Sequence, residues 1–164
     1  MQDDLAAMRR YARALARHDQ DADDIVQDAL VRAIEREGSF DPARARRPWL
    51  MAIVHNVFVT RKRREAAEAR RDMRFAETLL SRVDPEQEQM TRLSEVARAF
   101  AALPDSQRAT MHLIAVEGMN YQEAADVLGV PIGTIMSRLS RARTAMRRRD
   151  ASPQLRIVGG RDDG

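Results

Sequence analysis

The chain has 164 residues, of which 44% are hydrophobic and 4% aromatic, and its formal net charge is +3. This length allows one ordinary domain or two small ones, and the composition is dominated by residues that favour helices. The absence of cysteine excludes disulfides and thiolate metal sites, and three scattered histidines make a zinc site improbable. No apolar stretch is long enough to span a bilayer, and the N-terminus lacks a signal-peptide core. We therefore expect a soluble, cytoplasmic, all-α protein without metal, cofactor or membrane insertion.

Three helices are predicted in the N-terminal half. The first spans about residues 4–16, and the acidic stretch from His18 to Asp24 is expected to interrupt the chain after it. In the second helix, apolar residues between Ile25 and Ile34 recur at helical spacing. Pro48 fits the first turn of the third helix, whose broad apolar face runs into the basic segment Arg61 to Arg64.

A change of composition after the third helix indicates a domain boundary. Residues 65–90 are rich in alanine, glutamate, glutamine and arginine and poor in large apolar residues, which predicts a partly helical linker. Helices are expected to end near Leu103-Pro104 and to run over about 106–117. The predicted division is a first small domain at 1–64, a linker at 65–90, a second domain at 91–150 and a disordered tail at 151–164.

The second domain carries the pattern of a helix-turn-helix. Asn120 followed by Glu123 matches a capping box, which predicts a helix starting at Tyr121. Gly129 supplies the left-handed residue that ends this helix, and Pro131 stands where the next helix begins. A helix that follows such a turn with a polar N-terminal face is suited to the major groove of DNA. Its apolar face comprises Ile135, Leu139, Ala142 and Met146, and the opposite sector comprises Thr134, Ser137 and Arg141.

The predicted recognition helix has a strongly basic charge. No acidic residue lies between Val127 and Arg149, while six arginines do, counting Arg149 itself. Uncompensated charge of this kind favours a contact with phosphates. The alternative is an ordinary helical hairpin with a solvated arginine face, and the preference for arginine over lysine is explained equally well by codon bias.

Two blocks of the sequence resemble extracytoplasmic-function (ECF) sigma factors of bacterial RNA polymerase. They occur in the order that the family shows, with a family-like linker between them, and cover nearly the whole chain up to Arg149. The resemblance implies that residues 1–64 are sigma region 2 and residues 91–150 are sigma region 4. The residues that carry it are Ala22 to Asp28 (ADDIVQD), Trp49-Leu50 with Ile53 and Asn56, Leu103-Pro104 with Gln107-Arg108, Glu117 to Ala125 (EGMNYQEAA) and Gly129 to Arg143 (GVPIGTIMSRLSRAR).

For region 2, the resemblance implies that one helix docks on the clamp helices of the large polymerase subunit. The matching positions are Asp24, Gln27 and Asp28, and the residues from His18 to Asp28 include five aspartates and no cation. Acidic residues at a helix N-terminus are also favoured by the helix dipole, which is an equally good explanation without the family.

The resemblance also implies that region 2 opens the minus-ten element and captures a flipped base. Phe40 and Asn56 match the lining of the base pocket, since an aromatic ring stacks on an unpaired base and an amide hydrogen-bonds its edge. By composition alone, Phe40 is better interpreted as a loop aromatic packed on the core, and the cations as a solvated helix end. The residues expected to hold the backbone of the opened strand are Arg61, Lys62 and Arg64.

For region 4, the resemblance implies contacts with the minus-thirty-five element. Ser137 and Arg141 are the first choices for base or backbone contact, with Thr134 and Arg138 in support. Met136 departs from the family, where lysine or arginine is frequent, and His112 replaces a common apolar residue and is expected to be partly exposed.

The implied partners are core RNA polymerase, promoter DNA and an anti-sigma factor, with the protein a monomer or a heterodimer with that factor. One alternative is a sigma-like mimic that sequesters an anti-sigma factor, although such mimics usually carry a receiver domain and lack the basic DNA-facing residues. A second is a stand-alone helix-turn-helix regulator, which leaves residues 23–64 unexplained. An enzyme is the weakest interpretation, because no catalytic triad, metal cluster or phosphate loop is evident.

Overall fold

The computed structural model describes residues 2–72 and 92–150, which form helices and connecting turns without a strand. The all-α prediction is therefore confirmed. The predicted tail and most of the predicted linker lie outside the described residues. The helices are α1 (Gln2–Leu15), α2 (Asp19–Glu35), α3 (Arg46–Asp72), α4 (Arg92–Ala101), α5 (Asp105–Met111), α6 (Tyr121–Leu128) and α7 (Ile132–Asp150), with a 3-10 turn at Glu37–Ser39 and a π-helical segment at His112–Val116.

The first three helices pack on one another through apolar faces with helical spacing. Met8, Tyr11 and Leu15 of α1 are almost completely buried among the apolar residues of α2 and α3. The predicted break after the first helix is present, but it is limited to residues 16–18, because α2 begins at Asp19. Its first turn carries Asp19 and Asp21, where negative charge is stabilised by the helix dipole.

Helix α3 is 27 residues long, about 40 Å, and only its first half contributes to the core. Its last buried residue is Phe58, and the residues from Lys62 to Asp72 are exposed. The first eight residues of the predicted linker, 65–72, therefore continue this helix.

The second half contains a π-helical turn that sequence periodicity did not indicate. The helix expected over 106–117 begins at Asp105 and is α-helical only to Met111. The Glu117 N–H then donates to the carbonyl of His112 at 3.1 Å, which closes a wider five-residue turn. Gly118 follows with a φ of 68°, and the chain enters α6.

The two halves are joined by a continuous buried surface. Helix α1 contacts α5 and the π-helical segment, and α3 contacts α6. The buried apolar cluster accordingly includes residues of both halves. No helix within residues 2–72 and 92–150 is long and apolar enough to cross a membrane.

Candidate nucleic-acid and polymerase interface

The helix-turn-helix geometry follows the local sequence signals. The Glu123 N–H donates to Asn120 Oδ1 at 2.8 Å, and the Asn120 N–H donates to Glu123 Oε2 at 2.9 Å, so the predicted capping box is formed. Gly129 ends α6 in the left-handed conformation, with φ 63° and ψ 38°. The Val130 N–H donates to the carbonyl of Ala125 at 3.1 Å and completes the turn into α7.

Helix α7 separates an apolar face from a polar face as predicted. Ile135, Leu139 and Ala142 are buried at 0%, 2% and 0% exposure, whereas Ser137 and Arg141 are exposed. The Ser137 hydroxyl donates to the carbonyl of its own helix at Thr134, at 3.1 Å, and leaves its lone pairs facing solvent. The polar sector of α7 is therefore free to meet a groove of DNA.

Arg138 differs from the exposed Ser137 and Arg141, because it is half-buried. Its charge helps to lower the pKa of His55 on α3. Among the described residues, Arg141 and Arg143 form no ion pair within 4 Å, so their charges are uncompensated within the part of the chain that the structure describes.

Phe40, predicted to line the base pocket, lies where the loop after α2 meets α3. The ring of Phe40 is half-buried and packs against Trp49, with 5.0 Å between ring centroids and a tilt of 48°. Asn56 is exposed two turns further along α3, about 10 Å from Trp49 on the same face. The ring of Phe40 contacts Trp49 and also lines a cavity of about 670 Å³, and its role in capturing a base stays a prediction.

The predicted polymerase-docking and DNA-backbone residues are brought together. Arg61 on α3 lies 3.7 Å from Asp24 and 3.5 Å from Asp28 on α2, measured between nitrogen and carboxylate oxygen. Gln27 is exposed on the same helix. One predicted DNA contact is therefore paired with both predicted polymerase-docking carboxylates, which the sequence did not indicate.

The remaining cations of α3 are less constrained. Lys62 lies 3.7 Å from Glu65 and 5.8 Å from the centroid of the Phe58 ring, and Arg64 is exposed. Exposed pairs of this kind contribute little free energy, so these charges are available to a polyanion.

Sequence reasoning missed an ionic cluster between the two halves. Arg10 of α1 donates through Nε and Nη2 to the two carboxylate oxygens of Glu117, at 3.2 and 3.1 Å. His112 Nε2 lies 3.1 Å from Glu117 Oε1, and a carboxylate acceptor requires that this nitrogen carry the proton. The expectation that His112 is partly exposed is wrong, because only 4% of it is accessible. His112 lies three residues after the buried Ala109 of α5, on the same buried helical face, and its ring stacks on Tyr11.

Burial shifts the titration of the aromatic groups at this contact. Tyr11 stacks on His112 at 5.3 Å, and its hydroxyl lies 3.0 Å from His55 Nδ1. Burial raises the pKa of Tyr11 far above its usual range. Burial, with the nearby charge of Arg138, lowers the pKa of His55 to about 4, and burial also lowers the pKa of His112 against the opposing effect of Glu117. Both imidazoles are therefore neutral at physiological pH.

Comparison with known proteins identifies the family. Residues 1–55 match the family "Sigma2 domain of PhyR", and residues 93–146 match the family "Sigma-70, region 4". The chain is 34% identical to the ECF RNA polymerase sigma factor EcfG of Rhodopseudomonas palustris, over 100% of this chain and 90% of that protein. The chain belongs to the ECF sigma factor family. The family membership predicted from the sequence motifs is thereby confirmed.

Solved structures show that this sigma factor shares its arrangement of helices with relatives. The sigma factor RpoE of Bartonella quintana, solved in complex with the anti-sigma factor NepR, is 30% identical and has a TM-score of 0.76 over 93% of this chain and 95% of that chain. The anti-anti-sigma factor PhyR of Bartonella quintana, solved with NepR, has a TM-score of 0.54 over 88% of this chain and 46% of that chain. Because PhyR is 19% identical to this chain, its similarity shows a shared fold alone.

Proposed function

We propose that this ECF sigma factor directs core RNA polymerase to a specific set of promoters in response to a stress or envelope signal. The observation that carries the proposal is the ordered pair of sigma region matches on a chain that aligns over its whole length with an ECF sigma factor. The polymerase supplies the chemistry and this protein supplies promoter recognition, in the cytoplasm where both are found.

In region 2, we assign polymerase docking to Asp24, Gln27 and Asp28. These residues form a polar, partly acidic surface on α2 that is complementary to a basic partner. Phe40 and Asn56 are assigned to the flipped minus-ten base, because the ring of Phe40 packs on Trp49 at the start of α3 and the exposed amide of Asn56 follows two turns later on that helix. The cations assigned to the backbone of the opened strand are Arg61, Lys62 and Arg64.

In region 4, we assign the minus-thirty-five element to α7. Ser137 and Arg141 are exposed on the polar sector, and a guanidinium reads guanine or holds phosphate with two parallel hydrogen bonds. Thr134 and Arg138 are half-buried at the edge of this sector and support the contact.

An anti-sigma factor is the proposed regulatory partner. RpoE was solved in complex with the anti-sigma factor NepR, and CnrH, 30% identical over 90% of this chain, was solved with the cytosolic domain of CnrY. We propose that this chain is a monomer when free and forms a heterodimer with such a factor.

In vitro transcription tests the function directly. Purified protein is added to sigma-free bacterial core polymerase on a library of native genomic promoters. We expect discrete new start sites that share upstream elements near minus ten and minus thirty-five. Absence of transcripts, despite binding to core polymerase, would contradict promoter recognition.

Arg141→Ala tests the assigned role of α7. Loss of a bidentate base contact costs about 1–3 kcal/mol, so we expect promoter affinity to fall by about 5- to 150-fold while polymerase affinity is unchanged. The matched control is Arg143→Ala, because Arg143 carries the same charge on the same helix about 200° around its axis. If Arg141→Ala weakened promoter binding and polymerase binding equally, the assignment of Arg141 to DNA contact would be contradicted.

A second candidate function is an anti-sigma-binding mimic, favoured by the match of residues 1–55 to the sigma2 domain of PhyR. PhyR is described as an anti-anti-sigma factor. A mimic binds an anti-sigma factor of the NepR type but yields no transcripts with core polymerase. The transcription assay, together with a pull-down against such a factor, separates the two functions.

A further inference from the structure

Helix α3 extends well beyond the core of region 2 and ends in a solvent-exposed arm, residues 62–72. The last buried residue of α3 is Phe58, and every residue of the arm is exposed. The arm is about 16 Å long, because an α-helix rises 1.5 Å per residue. It lies between the two family matches, which end at residue 55 and begin at residue 93, so neither match gives it a role.

The direction in which the arm faces follows from the ion pairs of Arg61. Arg61 reaches Asp24 and Asp28, so its side of α3 faces α2. Arg63 lies about 200° further around the helix and therefore faces away from α2. The exposed Asn56, two turns before Arg63, lies within about 20° of it around the helix axis. The outward face of the arm thus continues the face of α3 that carries the amide proposed for the minus-ten base.

Positive and negative charges lie on different sides of the arm. Its four arginines fall within a sector of about 120° that includes the direction of Asn56, and this arginine face comprises Arg63, Arg64, Arg70 and Arg71. The three carboxylates of the arm fall within about 60° on the other side, and they are Glu65, Glu68 and Asp72. None of the four arginines forms an ion pair with a residue that the structure describes. The helix dipole favours cations in the last turn, where Arg70 and Arg71 lie, but it does not explain Arg63 and Arg64 two turns earlier.

The chemistry of the arginine face fits a phosphate backbone better than a protein surface. A guanidinium binds a phosphate through two parallel hydrogen bonds. Protein interfaces are centred on aromatic or large apolar side chains, and the one other residue of the arm in this sector is Ala67. Arg63 and Arg70 are about 10 Å apart along the helix, which is the axial rise of about three base pairs of DNA. The face can therefore contact several phosphates at once.

We propose that the arginine face of α3 is a further DNA-binding site, which holds the phosphate backbone of the duplex between the minus-ten and minus-thirty-five elements. The chain leads from the end of α3 to region 4, whose proposed target is the minus-thirty-five element, so the arm lies between the two reading helices in the chain. Phosphate contacts carry no sequence information, so this site contributes affinity and orientation and does not select bases. The proposal rests on the function proposed above, because that function places α3 on the minus-ten element.

The salt dependence of DNA binding tests the number of phosphate contacts. The holoenzyme formed by the full chain and core polymerase is titrated against a fluorescent promoter duplex at salt concentrations of about 50 to 200 mM. Each phosphate contact contributes about 0.9 to the slope of log affinity against log salt concentration. We therefore expect Arg70→Gln with Arg71→Gln to reduce this slope by about 2, and to weaken binding equally for spacers of different sequence. The matched control is Arg9→Gln with Arg13→Gln, which removes two exposed arginines of α1 and should leave the slope unchanged.

A tethered cleavage reagent tests the position of the contact. Because the chain contains no cysteine, Ala67→Cys carries an iron chelate within the arginine face. Ala69→Cys carries the same chelate about 200° around the helix and is the matched control. We expect cleavage of the DNA between the two promoter elements, and stronger cleavage from Ala67→Cys than from Ala69→Cys.

The outcomes distinguish the DNA site from the proposed function. A wild-type salt slope in Arg70→Gln with Arg71→Gln, on promoters that the wild type transcribes, would overturn the site and leave the function standing, as would equal cleavage from the two cysteine positions. Loss of core polymerase affinity with an unchanged DNA slope would assign the arginine face to a protein partner and overturn the site. The same titration is made with the chain alone on duplex DNA. If the wild type yields no transcripts and the double variant still loses slope in that titration, the proposed function is overturned and the site is upheld; without that loss, both are overturned.

Discussion

Substitution of Arg108 by methionine should have a large effect on stability, because it removes the cap of α1 without removing the volume of the side chain. The carbonyls of Ala14, Leu15 and Leu103 lose their donor while they remain next to an apolar group. Each buried acceptor left unpaired costs about 1–3 kcal/mol. The variant also no longer buries a charged guanidinium, and this gain offsets part of the total cost of the unpaired carbonyls. We expect the free energy of unfolding to fall by about 3–4 kcal/mol.

The assay is urea denaturation followed by two probes. Trp49, the single tryptophan, reports on region 2 by fluorescence, and far-ultraviolet circular dichroism reports on the helices of both halves. We expect the two transitions to coincide in wild type and to separate in Arg108→Met, because the variant uncouples the halves. The control Arg98→Met changes an exposed arginine of α4 and should alter stability by less than about 0.5 kcal/mol. Coincident transitions with a loss below about 1 kcal/mol would refute the assigned role.

Two further predictions concern titration and backbone conformation. The pKa of His55 is about 4 in the folded chain and near 6.5 when unfolded, so stability present above pH 6.5 is lost on acidification. Between pH 7.5 and 5 we expect His55 to contribute a loss of about 2 kcal/mol, measured by urea denaturation. His55→Gln should lack this contribution and keep that of His112, and a loss in His55→Gln equal to that of wild type would contradict the assignment. Gly129→Ala should destabilise the protein by about 1–2 kcal/mol because of its φ of 63°, whereas Gly133→Ala, inside α7, should stabilise it by about 0.5–1 kcal/mol in thermal unfolding. Equal effects of the two glycine substitutions would refute the conformational argument.

The elements that sequence predicted well are those specified by neighbouring residues. The capping box of Asn120 and Glu123 and the left-handed Gly129 each act within one helical turn, so the sequence pattern determines the local structure directly. The buried face of α7 follows from periodicity in the same way.

The contacts between the halves were not predictable, because they join residues far apart in the chain. Arg10 and Glu117 are separated by 107 positions, and neither has a local pattern that distinguishes it from a solvated charge. An arginine is rarely buried unless paired, so the composition favours an exposed Arg108 until its carbonyl partners are known. One signal was available in the sequence, because His112 stands where the family commonly has an apolar residue. A polar residue at a position that is usually apolar indicates a buried polar contact.

The π-helical segment at His112–Val116 has a consequence for chain-length variation in this family. A π-helical turn contains one residue more than the α-helical turn it replaces, so a one-residue deletion there would restore an ordinary helix through to Glu117. Because the wider turn already accommodates the extra residue, Glu117 and the helix-turn-helix after the deletion would keep nearly their direction about the helix axis. A relative that lacks this extra residue would therefore keep the angle of its DNA-reading helix, so chains that differ by one residue in this segment share one arrangement of the two halves.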